Sequence, residues 1–101
     1  MLIYNVTIQP TWSIHDAWLL WMREIHIPEI MKTGMFTHHR ILRLMEVDET
    51  EGPTYAFQYF ASSKDKYEYY LANHAIALRN KTYEKWGDQF IAFRSLMEVV
   101  E

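Results

Sequence analysis

Five histidines stand in a chain that has no cysteine. Imidazole is the side chain whose ordinary pKa lies closest to neutrality, so it serves proton transfer and metal binding alike. His38 and His39 are adjacent on a stretch that reads as a strand, so their rings point to opposite faces and cannot share one ion. His26 and Glu29 are three apart on a helical stretch, yet Pro28 between them disturbs that geometry. No HExxH or comparable ligand cluster occurs, and thiolate sites are excluded outright. Three glycines, none clustered, leave no phosphate-cradling loop. We therefore expect no metal and no cofactor.

Three candidate sites remain. His26 sits at the edge of an apolar helical stripe just before Pro28. It reads either as a ring bonding carbonyls freed at a helix break or as a general acid–base group at a pocket mouth. His74 lies on the stripe of a second helix, facing the sheet. It is either a core histidine with one ring nitrogen hydrogen-bonded or a pocket residue between helix and sheet. Asn5, Gln58 and Arg94 fall on three strands, and their parity allows them to share the face away from the helices. There they form either a polar patch at an interface or a small anion or carbonyl site, with Arg94 as the charge and the two amides orienting. Trp18, Trp21 and Met22 are soft and aromatic, but helical spacing marks them as core.

These residues need elements to position them. Leu2 to Gln9 alternates with period two, and Pro10 ends it as a strand. Ser13 with Asp16 resembles a capping box, and Ile14, Trp18, Trp21 and Ile25 then predict a helix to about Lys32, kinked near His26-Ile27-Pro28 and closed by Gly34. Phe36 to Val47 reads as a second strand, residues 48–53 as an acidic hairpin loop, and Tyr55 to Ala61 as a third strand. Ser62 with Asp65 predicts the cap of a second helix whose stripe is Tyr67, Leu71, His74 and Leu78, ending at Trp86-Gly87. Gln89 to Val100 completes the set as a fourth strand.

The order βαββαβ fills residues 1–101 as one ferredoxin-like α+β domain: a four-stranded antiparallel sheet with two helices on one face. The other face still carries apolar residues, for which Ile3, Phe60, Phe90 and Leu96 are the candidates. An uncovered apolar sheet face invites a second copy. Burying about 1,000 Å² there would contribute on the order of 25 kcal/mol before the costs of association. A homodimer, closed face to face as a dimeric α+β barrel, is the expected assembly.

Tyr4-Asn5-Val6-Thr7, Trp18-Leu19-Leu20-Trp21-Met22, His26-Ile27-Pro28-Glu29, Thr33-Gly34-Met35-Phe36, Arg40-Ile41-Leu42-Arg43-Leu44, Tyr55-Ala56-Phe57-Gln58-Tyr59 and Phe90-Ile91-Ala92-Phe93-Arg94 follow one another along nearly the full chain. Together they resemble DUF4286, an uncharacterised family common in Bacteroidetes that is similar to dimeric α+β barrel proteins. The resemblance implies a fold and a dimer, and no activity.

Three functions are compatible with this reading. The first is a homodimer that binds a small, largely apolar molecule between helices and sheet. The second is a cofactor-independent monooxygenase or haem-degrading type of enzyme. For that, Asn5 and His74 stand on the first strand and second helix, as the residues used by haem-degrading relatives do. The third is an RNA-recognition-like module, since Tyr55-Ala56-Phe57 with Phe60 imitates its aromatic third strand. Pro53 and Thr54 stand where that module carries basic residues and glycine, and 10 Lys+Arg against 13 Asp+Glu give a net charge of −3. Neither nucleic acid nor an anionic membrane is an expected partner. No apolar run approaches a membrane span and the N-terminus lacks a basic start, so the expected compartment is the cytoplasm.

Overall fold

Tyr4, Val6 and Ile8 point one way along β1 (Leu2–Pro10) and are buried in the computed structural model, which describes residues 1–101. β1 lies inside the sheet, between β3 (Tyr55–Ala61) and β4 (Phe90–Glu98), and β2 (His38–Arg43) extends the β3 side, giving the order β2-β3-β1-β4. All neighbours are antiparallel. The sheet and its two helices make the expected ferredoxin-like fold.

Both helices run longer than one regular segment. The first comprises α1 (His15–Trp21), a π-turn over Met22–His26, and α2 (Ile27–Met31). The second comprises α3 (Lys64–Tyr70), a π-turn over Leu71–Ala75, and α4 (Ile76–Trp86). The expected break at Pro28 is thus absorbed without ending the helix. A proline ring collides with the carbonyl four residues earlier, and widening the preceding turn relieves that collision. Accordingly Ile27 donates its N–H to Met22, five residues back. In the second helix Asn73 Nδ2 donates to the Tyr69 carbonyl at 3.0 Å, taking up an acceptor of the regular ladder.

Each π-turn rotates the helical segment beyond it. The buried positions run Trp18, Met22, Ile27, Ile30 in the first helix and Tyr70, Ala75, Leu78, Thr82 in the second. Ile25, expected on the stripe, is 46% exposed because the extra residue turns it outward. The caps also move. Ser63, one residue after the expected Ser62, accepts from the Lys66 N–H, and no side chain caps α1 at all. Ser13 instead bonds Thr11 and Gln89. Gly34 and Gly87 do close the helices, at φ of 77° and 61°, where other residues are strained.

Register assigns the faces. Opposite residues in an antiparallel pair share a side, so Tyr4, Tyr59 and Leu96 lie together, as do Val6, Phe57 and Arg94. Phe90 and Leu96 are therefore on the helix side, contrary to expectation, and Phe90 is buried there. The outer face carries Ile3 and Phe60 as expected, joined by Ile91, Phe93, Met97 and Leu42. β2 is shorter than expected and leaves residues 44–54 as a loop.

That loop is pinned to the β1–α1 connection. Gln9 Nε2 donates to the Gly52 carbonyl at 3.0 Å, and Trp12 donates through its backbone to Glu51 and through Nε1 to Glu49. Arg43 forks onto the Glu49 carboxylate. Gly52 is buried, and a Cβ there would overlap the carbonyl oxygen of Pro10. Backbone cannot step aside as a flexible side chain can. Gly52→Ala is expected to cost about 1–3 kcal/mol, the range for forced overpacking. Urea unfolding would register this as a lower midpoint at unchanged slope; an unaltered midpoint would contradict it.

Candidate functional site

Between the helices and the sheet lies a cavity of about 30 Å³. Its floor is Tyr4, Val6 and Ile8 of β1 with Phe57 and Tyr59 of β3. Met22, His26 and Ile30 wall it from the first helix, and Leu78, Arg79 and Thr82 from the second. Phe90, Ala92 and Arg94 close it from β4. Tyr83, half exposed, stands at its rim. The volume admits one or two waters or a group of similar size. It is far below the several hundred Å³ that house a multi-ring ligand.

Polar atoms gather in this apolar enclosure without partners. His26 Nδ1, Arg79 Nε and Arg94 Nε are all buried and find no hydrogen-bonding group within the protein. Arg79 does donate through Nη2 to Tyr4 Oη at 2.9 Å. Neither guanidinium joins an ion pair. Glu29, which bears on His26, is engaged by Lys81 from the second helix. Both arginines are half-buried, and an unpaired donor in the buried part is costly.

The neighbouring ionisable groups feel these charges. Burial pushes the Tyr70 hydroxyl well above its usual range, and Tyr4 adds to that, while Arg79 and Arg94 both oppose it. Both guanidiniums thus bear on one hydroxyl. Tyr59 is pushed up in the same direction by burial, with Tyr70 and Tyr4 beside it. These tyrosines remain protonated donors. The His26 ring stacks on Trp21 at 5.2 Å between centroids. Burial lowers its pKa from 6.5 to about 4, Glu29 opposes this, and Arg94 and Lys81 reinforce it. Near neutrality His26 is uncharged.

That shift makes stability depend on pH. Unfolding returns His26 to an ordinary imidazole, which binds a proton below pH 6.5 that the folded ring refuses until about pH 4. The contribution is complete above 6.5 and is lost as the pH falls through that interval. The loss amounts to about 3 kcal/mol at the acid end. His26→Phe is expected to flatten this part of the stability profile by a similar amount at fixed protein concentration. Equal acid sensitivity in both proteins would contradict it.

Of the residues marked from sequence, the structure brings His26 and Arg94 together in this cavity. It separates Arg94 from Asn5 and Gln58. Asn5 and Gln58 are directly opposite each other on the outer face, whereas Arg94 pairs with Val6 on the helix side. Asn5 is buried and donates to Thr7 Oγ1 at 2.9 Å. His74, half-buried, lies against Tyr69 and Tyr70 of its own helix and does not line the cavity. The π-turn puts Ala75 in the buried position instead. Asn5 and His74 therefore do not face one common pocket, which removes the residue pairing behind the haem-degrading alternative. Tyr55 and Phe57 also face the helices, leaving only Phe60 of the RNA-like aromatic set on the open side. Even Phe60 is covered, by a stacked His38 at 4.1 Å and by Arg40.

Arg79 and His15 were not among the marked residues. Arg79 stands beside the apolar stripe and has the look of a solvated helix position. His15 links Asp16 to the Tyr55 hydroxyl, at 2.8 and 2.7 Å, and ties the start of α1 to β3 away from the cavity.

The fold is shared with solved structures of very different sequence. A variant of SnoaB, a cofactor-independent oxygenase from Streptomyces nogalater, is 12% identical with a TM-score of 0.68, covering 99% of this chain and 94% of that chain. A dimeric ferredoxin-like protein from an uncultured marine organism is 15% identical with a TM-score of 0.66, covering 100% and 96%. An ethyl tert-butyl ether d (EthD) family protein from Bacillus halodurans is 11% identical with a TM-score of 0.66, covering 98% and 100%. At such identities the likeness is one of fold. No curated protein matches the chain. The family described as a domain of unknown function, DUF4286, matches residues 1–100. The chain belongs to the DUF4286 family.

Proposed function

We propose that the protein is a homodimer, joined through the outer face of its sheet, that binds a small molecule in the cavity between helices and sheet. The observation that carries the binding site is the enclosure itself, where apolar walls surround buried polar atoms that the protein leaves unpartnered. Such concave, mostly apolar sites with a few convergent polar groups are where small ligands bind. The dimer is supported by the outer face, where Ile91 is 68% and Phe93 64% exposed. It is supported also by the dimeric ferredoxin-like protein of the same fold. The size of the cavity favours a short ligand and disfavours haem or a polycyclic substrate, so the monooxygenase alternative is not retained.

The ligand site is testable without knowing its natural occupant. Titration of 15N-labelled protein with methanol, a small neutral probe, is expected to move the amide signals of Met22, Leu78 and Ala92. These three come from the two helices and β4 around the cavity. Shifts confined to surface residues, or none, would contradict the site.

A further inference from the structure

The cavity holds more positive charge than its surroundings explain. Arg79 and Arg94 reach it from opposite sides, one from α4 and one from β4, and each has a buried Nε without an acceptor. His26, on the first helix, adds a third unpartnered polar atom. No carboxylate of the chain pairs with either guanidinium. Each arginine is half-buried, and the cavity lining offers no Asp or Glu to answer its buried part. Here Glu29, the acidic residue that also bears on His26, is held by Lys81 instead.

We infer that the cavity is an acceptor site for a one- or two-carbon monocarboxylate, whose two oxygens are shared between Arg79 and Arg94 while its carbon end lies against Leu78, Phe90 and Ala92. This rests on the cavity being the ligand site. A planar carboxylate offers one oxygen to each guanidinium, and charge-assisted hydrogen bonds of this kind are the strong ones. Tyr4, already bonded to Arg79, holds that side chain in place. His26 can donate from Nδ1 as a neutral ring. A phosphate would satisfy the arginines equally well but would turn its remaining oxygens against apolar walls. The chemistry therefore favours a carboxylate.

The experiment uses the full chain, 15N-labelled, at neutral pH and constant ionic strength. Formate and acetate are titrated beside their uncharged counterparts formamide and acetamide, with methanol and inorganic phosphate as further arms. The acids are expected to bind about tenfold or more tightly than the amides, moving the amide signals of Thr82, Ala92 and Arg94. Arg94→Gln should remove that preference, weakening the acids far more than the amides. Arg94→Lys, which keeps the charge and loses the fork, should fall between them and serves if the Gln variant does not fold. Equal binding of acids and amides would overturn the inference, as would tighter binding of phosphate. If methanol binds and the acids do not, the cavity stands as a ligand site and its anion preference falls. If neither binds, both fall.

Discussion

Trp18→Ala is expected to cost about 3–5 kcal/mol, a large share of the stability of a domain this size. The indole is fully buried and sits at the junction of the first helix with the third strand. It meets Phe57 edge-on at 5.7 Å and Tyr55 at 5.9 Å. Alanine would leave a void beneath the helix that rigid strand aromatics cannot close. Trp18→Phe is the informative companion. The Trp18 Nε1 is buried without an acceptor, so removing it also removes an unsatisfied donor. The Phe variant should therefore lose markedly less than its volume change alone suggests. Urea midpoints for the two variants at one protein concentration test both statements. A Trp18→Phe loss equal to that of Trp18→Ala would contradict the second.

Phe93→Asp is expected to weaken self-association by roughly a hundredfold, about 3 kcal/mol, while leaving the protomer folded. Phe93 is opposite Thr7 on the outer face and is 64% exposed in the single chain, so it has no role in the core. Ile91, two residues earlier, extends the same apolar strip along β4. Two-fold symmetry would place two such aspartates in the contact, doubling the penalty. Leu96→Asp is a poorer probe. Leu96 pairs with Tyr4 on the helix side and is 43% exposed there, so its substitution would not reach the contact.

The contrast between Phe93 and Leu96 shows what the amino-acid sequence made legible. Element order came from period-two and helical patterning, and proline and glycine punctuated it correctly at Pro10, Gly34 and Gly87. The faces of β4 were not legible, because Phe90, Ile91, Ala92 and Phe93 are apolar on both sides. No hairpin joins β4 to β1, so no turn fixed its register either. Arg94 was accordingly placed with Asn5 and Gln58, across the sheet from its actual position.

The helices departed from expectation for a different reason. A period of 3.6 fitted to the first helix puts Ile25 inside, and the same period in the second puts His74 there. Both helices contain an inserted residue, visible as a step of five between buried Met22 and Ile27 and between Tyr70 and Ala75. Pro28 was the only local signal for the first. Arg79 escaped notice for a related reason, since an arginine flanking an apolar stripe looks solvated until the opposing strand is in place. Only the packed sheet brings Arg94 to the same cavity and turns two ordinary residues into one charged site.

The outer sheet face belongs, in this reading, to a second copy of the chain. Sedimentation equilibrium of the unmodified protein at low micromolar concentration tests that directly. A single species of twice the 12.2 kDa chain mass is expected, shifting toward the chain mass only in Phe93→Asp. A clean 12.2 kDa species for the unmodified protein would contradict it.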